Sequence, residues 1–492
     1  MYRVVLYGLL ILAAISIALG FAGQLEYHGV SLLISLCILI SVGVVTNYFF
    51  SQIFKVTTGI ESSLITSLIL FFIVFPVNSF SSGTTVALIG FVAIASKYIL
   101  VYRKKHIFNP AALAVFVFFY LDSGAVWWVA TPVLIVPTTM LCVLVVRKIR
   151  RFTLFFSFAT TAILVYLIVS LSTKLVLSEA FFTQIFTSWP LIFFGAIMLT
   201  EPATTPPTRK LQIVYGVLVG FLFSFQLKLL FFYPTPEFAL IVSNIFSFIV
   251  SSKYRLYLRL KSKTELASNI TEVSFNKPSF FTFKPGQYLE WTLPILKADS
   301  RGNRRYFTIA SSPTENEIKL GIRFNEPPSS FKKRLHALGK NDTATAGQLL
   351  GDFTLPSDTS KKLVFIAGGI GVTPFRSMIK YLLDVGEERD IVFFYANKVK
   401  NEIAYKELFD EAVKKLGISI VYILSEDEEI STDWKGEKGR IDKKMLKKHV
   451  SDISERTFYL SGPNSMVTNY KKLLRSLGVR SSAIVTDYFP GF

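Results

Sequence analysis

The chain has 492 residues, a formal net charge of +19, 51% hydrophobic residues and 46 Phe. It is too apolar for one soluble enzyme and long enough for two or three domains, so a membrane part joined to a water-soluble part is expected. Two cysteines (Cys37, Cys142) exclude a disulfide framework and a four-thiolate iron–sulfur cluster, and with only His28 and His106 in the apolar half the four histidines exclude a pair of stacked haems between membrane helices.

The apolar excess lies in residues 1–252, which carry 14 Lys+Arg and 6 Asp+Glu; the remainder carries 39 and 28. Neither half concentrates its basic residues as a nucleic-acid binder would, and the excess fits cytoplasmic loops and a face held against anionic lipid. The expected partner surface is therefore a lipid bilayer, with no nucleic acid. Apolar stretches near 4–22, 30–50, 62–78, 84–102, 109–121, 126–146, 153–172, 181–199, 211–231 and 237–252 predict an all-α polytopic bundle of about ten transmembrane helices. The fifth stretch is short enough to be broken or re-entrant. Val4 to Ala22 lacks a small-residue cleavage site, so the first segment is expected to remain as a helix. Arg3, Lys55, Arg103 to Lys105, Arg147 to Arg151, Arg209-Lys210 and Lys253 to Arg255 fall at the amino terminus and after even-numbered stretches. That pattern predicts a multi-pass protein of the cell (plasma) membrane with both ends, and the soluble half, in the cytoplasm.

Two connections in this half are unusual: His106-Ile107-Phe108-Asn109-Pro110-Ala111-Ala112, and Met198-Leu199-Thr200-Glu201-Pro202-Ala203-Thr204-Thr205-Pro206-Pro207-Thr208. Proline with Asn, Thr and a carboxylate breaks helices at a membrane edge and frees backbone donors for a polar site; helix caps and stops are the plainer reading. With Tyr215-Gly216 after them, both runs resemble the RnfD and NqrB membrane subunits of ion-translocating oxidoreductases, over most of residues 1–255 and with Glu201 where Asp is usual. The resemblance implies the ten-helix fold of that family and flavin sites between helices, making Asn109, Pro110, Thr200, Glu201 and Thr204 a candidate membrane flavin or docking site. That family attaches FMN to the Thr of an S-G-A-T run, and here Asp122-Ser123-Gly124-Ala125-Val126 has valine in the acceptor place. Thr85 in Ser82-Gly83-Thr84-Thr85 lacks the upstream Asp. A phosphoester needs an oxygen nucleophile, so covalent FMN is not expected; a non-covalent FMN or riboflavin stays open.

Residues 256–358 read as short alternating strands with turns at Lys277-Pro278, Lys284-Pro285-Gly286 and Pro313, the pattern of a small antiparallel β-barrel. Arg305-Tyr306-Phe307-Thr308 alternates like a strand and sets a guanidinium, an aromatic and a hydroxyl along one segment, which suits a flavin phosphate and ring. Ser329-Ser330 opens a short helix; their hydroxyls and free N–H groups either hold a pyrophosphate, favouring FAD over FMN, or cap the helix. Residues 359–492 alternate strands (363–367, 391–395, 419–424, 457–461) with helices near 374–384, 402–415, 442–448 and 464–476, a doubly wound α/β sheet. Gly368-Gly369-Ile370-Gly371-Val372-Thr373-Pro374 is a glycine-rich strand-to-helix turn, and Ser461-Gly462-Pro463 ends a strand at the sheet's carboxyl edge.

Arg305 to Thr308, Gly368 to Pro374, Lys284 to Tyr288, Gly351-Asp352-Phe353, Ser461 to Pro463 and the closing Phe489-Pro490-Gly491-Phe492 together resemble the ferredoxin-NADP reductase superfamily over roughly 256–492. The resemblance implies FAD held by Arg305, Tyr306, Phe307, Thr308, Ser329 and Ser330. It implies NAD(P)H held by Gly368, Gly369, Gly371, Thr373, Pro374, Gly462 and Pro463, with Thr308, Ser461 and Phe492 at the reacting rings. Ser461 stands where many relatives have Cys. Lys398 and Lys400 could hold a 2′-phosphate or be solvated charges, so NADH against NADPH is open. The expected whole is a fusion: 1–255 an RnfD/NqrB-like transmembrane domain, 256–358 an FAD domain and 359–492 an NAD(P) domain. Its expected activity passes electrons from NAD(P)H through FAD to a membrane or extracytoplasmic acceptor (flavin, quinone or redox partner), with partner subunits left open. The alternative is an ion- or solute-permeation unit gated by the reductase.

Overall fold

The computed structural model describes residues 2–54, 60–102, 105–121, 124–172, 190–224, 235–251, 255–295, 299, 302–324, 327–340, 342–426 and 434–487. Two compact units divide between Tyr254 and Arg255.

The first unit is helical: α1 (Tyr2–Phe21), α2 (Gly29–Ile53), α3 (Ile60–Ile73), α4 (Phe80–Ile99), α5 (Pro110–Phe119), α6 (Ile135–Ile149), α7 (Phe152–Ser172), α8 (Arg209–Ser224) and α9 (Pro236–Val250), with a two-residue-strand hairpin, β1 (Val101–Tyr102) and β2 (Lys105–His106), before α5. Among the described residues five helices, not ten, are long and apolar enough to cross a membrane: Arg3–Phe21, Gly29–Ile53, Phe80–Ile99, Pro132–Ile149 and Phe152–Ser172. The expectation failed because apolar length is not helix length. Pro76 lies in the third apolar stretch, where a helix interior cannot accept it, and α3 stops at Ile73. Its 14 residues span about 21 Å, short of a hydrocarbon core of ~30 Å. The open carbonyls of α3 are closed from another part of the chain: Val126 N–H donates to Ile73 O at 2.8 Å, Val129 N–H to Phe72 O at 3.3 Å and Trp128 Nε1 to Phe71 O at 2.7 Å. Residues 181–189 of the eighth expected stretch and 225–231 of the ninth lie outside the described residues. The eighth ends in a π-helical turn, Phe194–Met198.

The second unit has two lobes. In the first, β3 (Leu256–Ala267), β4 (Ile270–Asn276), β5 (Tyr288–Thr292), β6 (Arg304–Thr308), β7 (Glu317–Arg323) and β8 (Thr343–Leu350) form one antiparallel sheet of order β6-β5-β8-β3-β4-β7. This corrects the expected barrel: β6 and β7 are ends of an open sheet. The residues just past β6 turn back toward β7, Ala310 N–H reaching Lys319 O at 2.8 Å and Ser311 Oγ accepting the Lys319 N–H at 3.1 Å. Helix α10 (Ser330–His336) precedes β8.

In the second lobe β9 (Leu363–Gly368), β10 (Ile391–Asn397), β11 (Ser419–Leu424), β12 (Glu437–Lys438), β13 (Thr457–Ser461) and β14 (Ile484–Thr486) form a parallel sheet of order β12-β11-β10-β9-β13-β14. Side chains alternate across it as a strand period of two requires. Phe365 and Phe393 meet α11 (Thr373–Val385) and α12 (Lys406–Leu416) on one face, while Val364, Ile366 and Phe394 meet α13 (Lys443–His449) and α14 (Asn464–Ser476) on the other. Strand order reverses between β9 and β13, and ligands of such sheets bind outside the carboxyl ends at that switch point.

The lobes are fastened by a buried ion pair. Arg376 on α11 grips Glu315 with both terminal nitrogens, Nη2 donating to Oε1 at 3.0 Å. Burial pushes the Glu315 carboxyl up, but hydrogen bonds and charge from Arg376 outweigh it and hold the group below its ordinary value of 4.5. The stability this pair contributes is therefore present above pH 4.5 and lost as pH falls through the lower folded-state value. Arg376→Ala strands a buried carboxylate and is expected to cost roughly 3–5 kcal/mol, read as a drop in the denaturant midpoint of the second unit; Glu315→Gln should flatten the acid limb of stability against pH.

Candidate nicotinamide and flavin cleft

The two sequence runs that carry the candidate site meet through the segment following each. Two residues beyond Thr308, Ala310 O accepts from Arg376 Nη1 at 3.1 Å, and Ser311 O accepts from Ser377 Oγ at 2.6 Å. Arg376 and Ser377 lie just past Pro374 in α11. The glycine turn also abuts the first lobe, since a Cβ on Gly321 of β7 would stand 2.7 Å from Thr373 Cγ2 and 3.3 Å from Ile370 Cδ1.

Across the switch point the turn packs on the other candidate strap. A Cβ on Gly371 would lie 2.6 Å from both Gly462 Cα and Ser461 O, and one on Gly368 would lie 2.3 Å from Met466 Sδ. Gly369 has φ +51, the left-handed region that favours glycine. Pro374 sits in the first turn of α11, where its missing N–H costs nothing. Ser461, Gly462 and Pro463 thus come together with Gly368, Gly369, Gly371, Thr373 and Pro374.

On β6, Arg305 and Phe307 share a face and both meet Phe331: the Arg305 guanidinium lies 5.4 Å from that ring's centre and the Phe307 ring 5.8 Å. Tyr306 points the other way, its hydroxyl 3.5 Å from Gln348 Oε1. Arg305 Nη2 lies 3.2 Å from Asp299 Oδ1, whose other oxygen accepts the Ser330 N–H at 3.1 Å. Ser329 caps α10, accepting from Lys332 N–H at 3.3 Å. Guanidinium and Ser330 N–H therefore converge on one anionic position, here filled by a side chain of the protein. Thr308 Oγ1 is buried without a hydrogen-bond partner. An anion cradle, a nearby aromatic and an orphaned hydroxyl fit an FAD pyrophosphate and ring. Phe492 lies outside the described residues.

The sequence reading missed Arg376 and Glu315. The signal available was Arg376 itself, a charge on the apolar side of an amphipathic helix directly after the glycine turn.

In the first unit, Asn109 caps α5, its side chain accepting from Ala112 N–H at 3.0 Å, and Pro110 begins the helix. Asn109 Nδ2 donates to Glu201 Oε2 at 2.9 Å, and Thr204 Oγ1 donates to the same oxygen at 3.2 Å. Thr200 instead donates back to Ala196 O within the π-helical turn. His106, Asn244 and Tyr215 join this cluster and were not in the candidate set: His106 Nε2 lies 3.4 Å from Glu201 Oε1, Asn244 Oδ1 accepts the Asn109 N–H at 2.8 Å and Asn244 Nδ2 donates to the Tyr215 hydroxyl at 2.7 Å.

Fold and cleft give the second unit two lobes, one antiparallel and one α/β, that meet at the glycine turn, the arrangement expected of a reductase of the ferredoxin-NADP type. Residues 365–472 match the family described as the oxidoreductase NAD-binding domain. Similar proteins include a flavohemoprotein of Bacillus subtilis (strain 168), 27% identical over 42% of this chain and 51% of that protein. A glycine betaine monooxygenase reductase subunit of Pseudomonas aeruginosa is 27% identical over 44% and 58%. A component of the Na(+)-translocating NADH-quinone reductase of Neisseria gonorrhoeae is 30% identical over 40% and 50%. The chain spans about half the length of these relatives.

Gly371→Ala forces a methyl into backbone and is expected to cost about 1–3 kcal/mol and to raise the KM for NAD(P)H more than it lowers FAD content, measured by steady-state kinetics with flavin quantified after denaturation.

Proposed function

We propose that this protein is a membrane-bound flavin oxidoreductase that passes electrons from NAD(P)H through FAD to an acceptor in or at the membrane: a flavin, a quinone or a partner redox protein. The observation that carries it is the fastening of the Arg305–Thr308 strand to the helix after the Gly368–Pro374 turn, which makes one cleft of two motifs. FAD, when bound, accepts a hydride and releases its electrons singly.

In this reading Arg305, with Ser329 and Ser330, holds the pyrophosphate of FAD; Phe307 lies against its ring, Tyr306 supports the strand, and Thr308 offers its free hydroxyl to a ring nitrogen. Gly368, Gly369, Gly371, Thr373 and Pro374 let the NAD(P)H pyrophosphate approach backbone, and Ser461, Gly462 and Pro463 border the nicotinamide. Phe492 keeps the role of a cover over the flavin ring. These residues bind and orient; the redox chemistry belongs to the cofactors.

Lys398 Nζ lies 2.8 Å from Glu426 Oε2, at the carboxyl edges of β10 and β11. A carboxylate there neutralises the lysine and repels a 2′-phosphate, which supports NADH over NADPH. Glu426→Gln is expected to raise kcat/KM for NADPH severalfold and leave that for NADH within twofold; equal effects on both dinucleotides would remove this preference.

For the first unit we propose the RnfD/NqrB-like assignment, a plasma-membrane location with the reductase in the cytoplasm, and Asn109, Pro110, Thr200, Glu201 and Thr204 as the rim where electrons enter the membrane part, with or without a non-covalent flavin. The gathering of Asn109 and Thr204 on Glu201 supports a built polar site.

Removing the charge-assisted contacts of Arg305 is worth roughly 1.5–3 kcal/mol, so Arg305→Ala is expected to weaken FAD binding about tenfold to a hundredfold, measured by flavin fluorescence titration. Unchanged affinity together with unchanged NAD(P)H-driven flavin bleaching would remove the cleft assignment. Quinone-dependent NAD(P)H oxidation in proteoliposomes, compared with oxidation by a water-soluble dye, tests the membrane acceptor.

A further inference from the structure

We propose that the face of the parallel sheet covered by α13 and α14 is a docking surface for the anionic headgroups of a lipid bilayer, held by Lys443, Lys444, Lys447, Lys448, Lys472 and Arg475. The inference rests on the membrane-bound reading above and adds to it the part of the second unit that meets lipid.

Charge in the α/β lobe is divided along the chain, and so between the two faces of its sheet. Residues 361–433, which supply α11 and α12, carry 10 Lys+Arg and 13 Asp+Glu, whereas residues 434–492, which supply α13 and α14, carry 12 and 5. On the first face lysines are answered locally: Lys380 pairs with Asp384, Lys406 with Asp410 and Lys415 with Glu411. On the second face Glu437 takes both Lys448 and His449, each at 2.7 Å, and Asp442 is occupied in capping α13, accepting from Met445 N–H at 2.7 Å. Among the described residues Lys443, Lys444, Lys447 and Lys472 are exposed and have no ion pair.

Packing makes these cations one patch. Met445 and Leu446 of α13 and Val467 and Leu474 of α14 are buried in one core, and Tyr470 of α14 is hydrogen-bonded to the backbone of Ile441, just before α13. With the apolar sides of both helices turned inward, their lysines are left outward. Lys443 and Lys447, like Lys444 and Lys448, repel each other four residues apart, and Lys443 and Lys444 occupy the first turn, the positive end of the helix dipole. Both arrangements oppose the helix, and an anionic surface laid against it relieves both.

The chemistry of the face selects lipid among anionic partners. A specific protein interface needs apolar or aromatic anchors at its centre, and among the described residues of 434–487 no large apolar side chain is exposed. Aromatic rings that would stack on nucleic-acid bases are missing from the surface for the same reason. Helix α13 carries four lysines and no arginine; flexible point charges suit a fluid array of headgroups better than they suit fixed phosphates, which call for the planar fork of arginine. A bilayer is also within the chain's own reach, since the first unit has five helices long and apolar enough to cross one. Lys472 and Arg475 lie late in α14, away from Pro463 at its start, so docking there leaves the candidate nicotinamide strap clear.

The full-length protein, reconstituted in vesicles of phosphatidylcholine alone or with about one third phosphatidylglycerol, tests this by reductive methylation with formaldehyde, a small neutral reagent that enters vesicles and preserves the lysine charge. Methylation of Lys443, Lys444, Lys447 and Lys472, read by peptide mass spectrometry relative to Lys380 and Lys415 in the same molecule, is expected to fall at least threefold in the anionic vesicles. The protection should vanish in about 0.5 M salt, where the screening length is roughly 4 Å. In the triple variant Lys443→Gln, Lys444→Gln, Lys447→Gln, methylation of Lys472 should return to its level in neutral vesicles while NAD(P)H reduction of a water-soluble dye is unchanged, which shows the protein to be intact. Equal methylation in the two lipids, protection that survives high salt, protection of Lys472 unaltered in the variant, or protection given in neutral vesicles by an added oligonucleotide but not by anionic lipid overturns the docking surface and leaves the membrane-bound reading standing. Failure of the wild type to co-float with either vesicle overturns both.

Discussion

The second unit depends on one buried ion pair. Two charges taken from water cost several kcal/mol each, and only close, bidentate geometry recovers that. Arg376 and Glu315 meet the condition, with Arg376 also bonded to Ala310 O and Lys319 3.4 Å from Glu315. Because the pair is stable only when fully made, it selects one relative placement of the two lobes. Arg376 follows the glycine turn by two residues and Glu315 lies in the connection from β6 to β7, so the same placement sets the spacing of the groups proposed to face the two cofactors.

Around that clamp, close backbone approach does what side chains cannot. Gly371 lets the turn after β9 touch the strap after β13, and Gly368 admits Met466 from α14. Both contacts lie at the carboxyl ends of adjacent parallel strands at the point where strand order reverses. A crevice there follows from topology, because the helices leaving β9 and β13 depart to opposite faces.

The first unit follows a different rule. A helix surrounded by protein need not match a bilayer's thickness, provided its end carbonyls find donors. Helix α3 shows this: nine of its residues are buried, it stops at Ile73, and the 126–129 segment supplies backbone and indole N–H groups. Helices α5 and α9 are likewise short, each begun by proline behind a capping side chain, Asn109 or Thr235. Short buried helices with capped ends bring polar termini inside the unit, which is how Asn109 reaches Asn244 and Glu201.

Much was legible in the amino-acid order alone, because local chemistry encoded it. The strands and helices of the α/β lobe follow from hydrophobic period, the turn at Gly368–Pro374 from glycine and proline, and the caps at Asn109 and Ser329 from short polar side chains before apolar runs. The apolar half announces itself by composition. What only the tertiary structure decided is long-range partnership: Arg376 with Glu315, 61 residues apart, Asn109 with Asn244, 135 apart, and Trp127 with Glu237, 110 apart. It also decided that the antiparallel sheet stays open and that some apolar stretches form short helices. Period and propensity act over a turn or a strand, whereas these outcomes depend on which distant group arrives to satisfy a buried charge, amide or carbonyl, and no local pattern specifies that arrival.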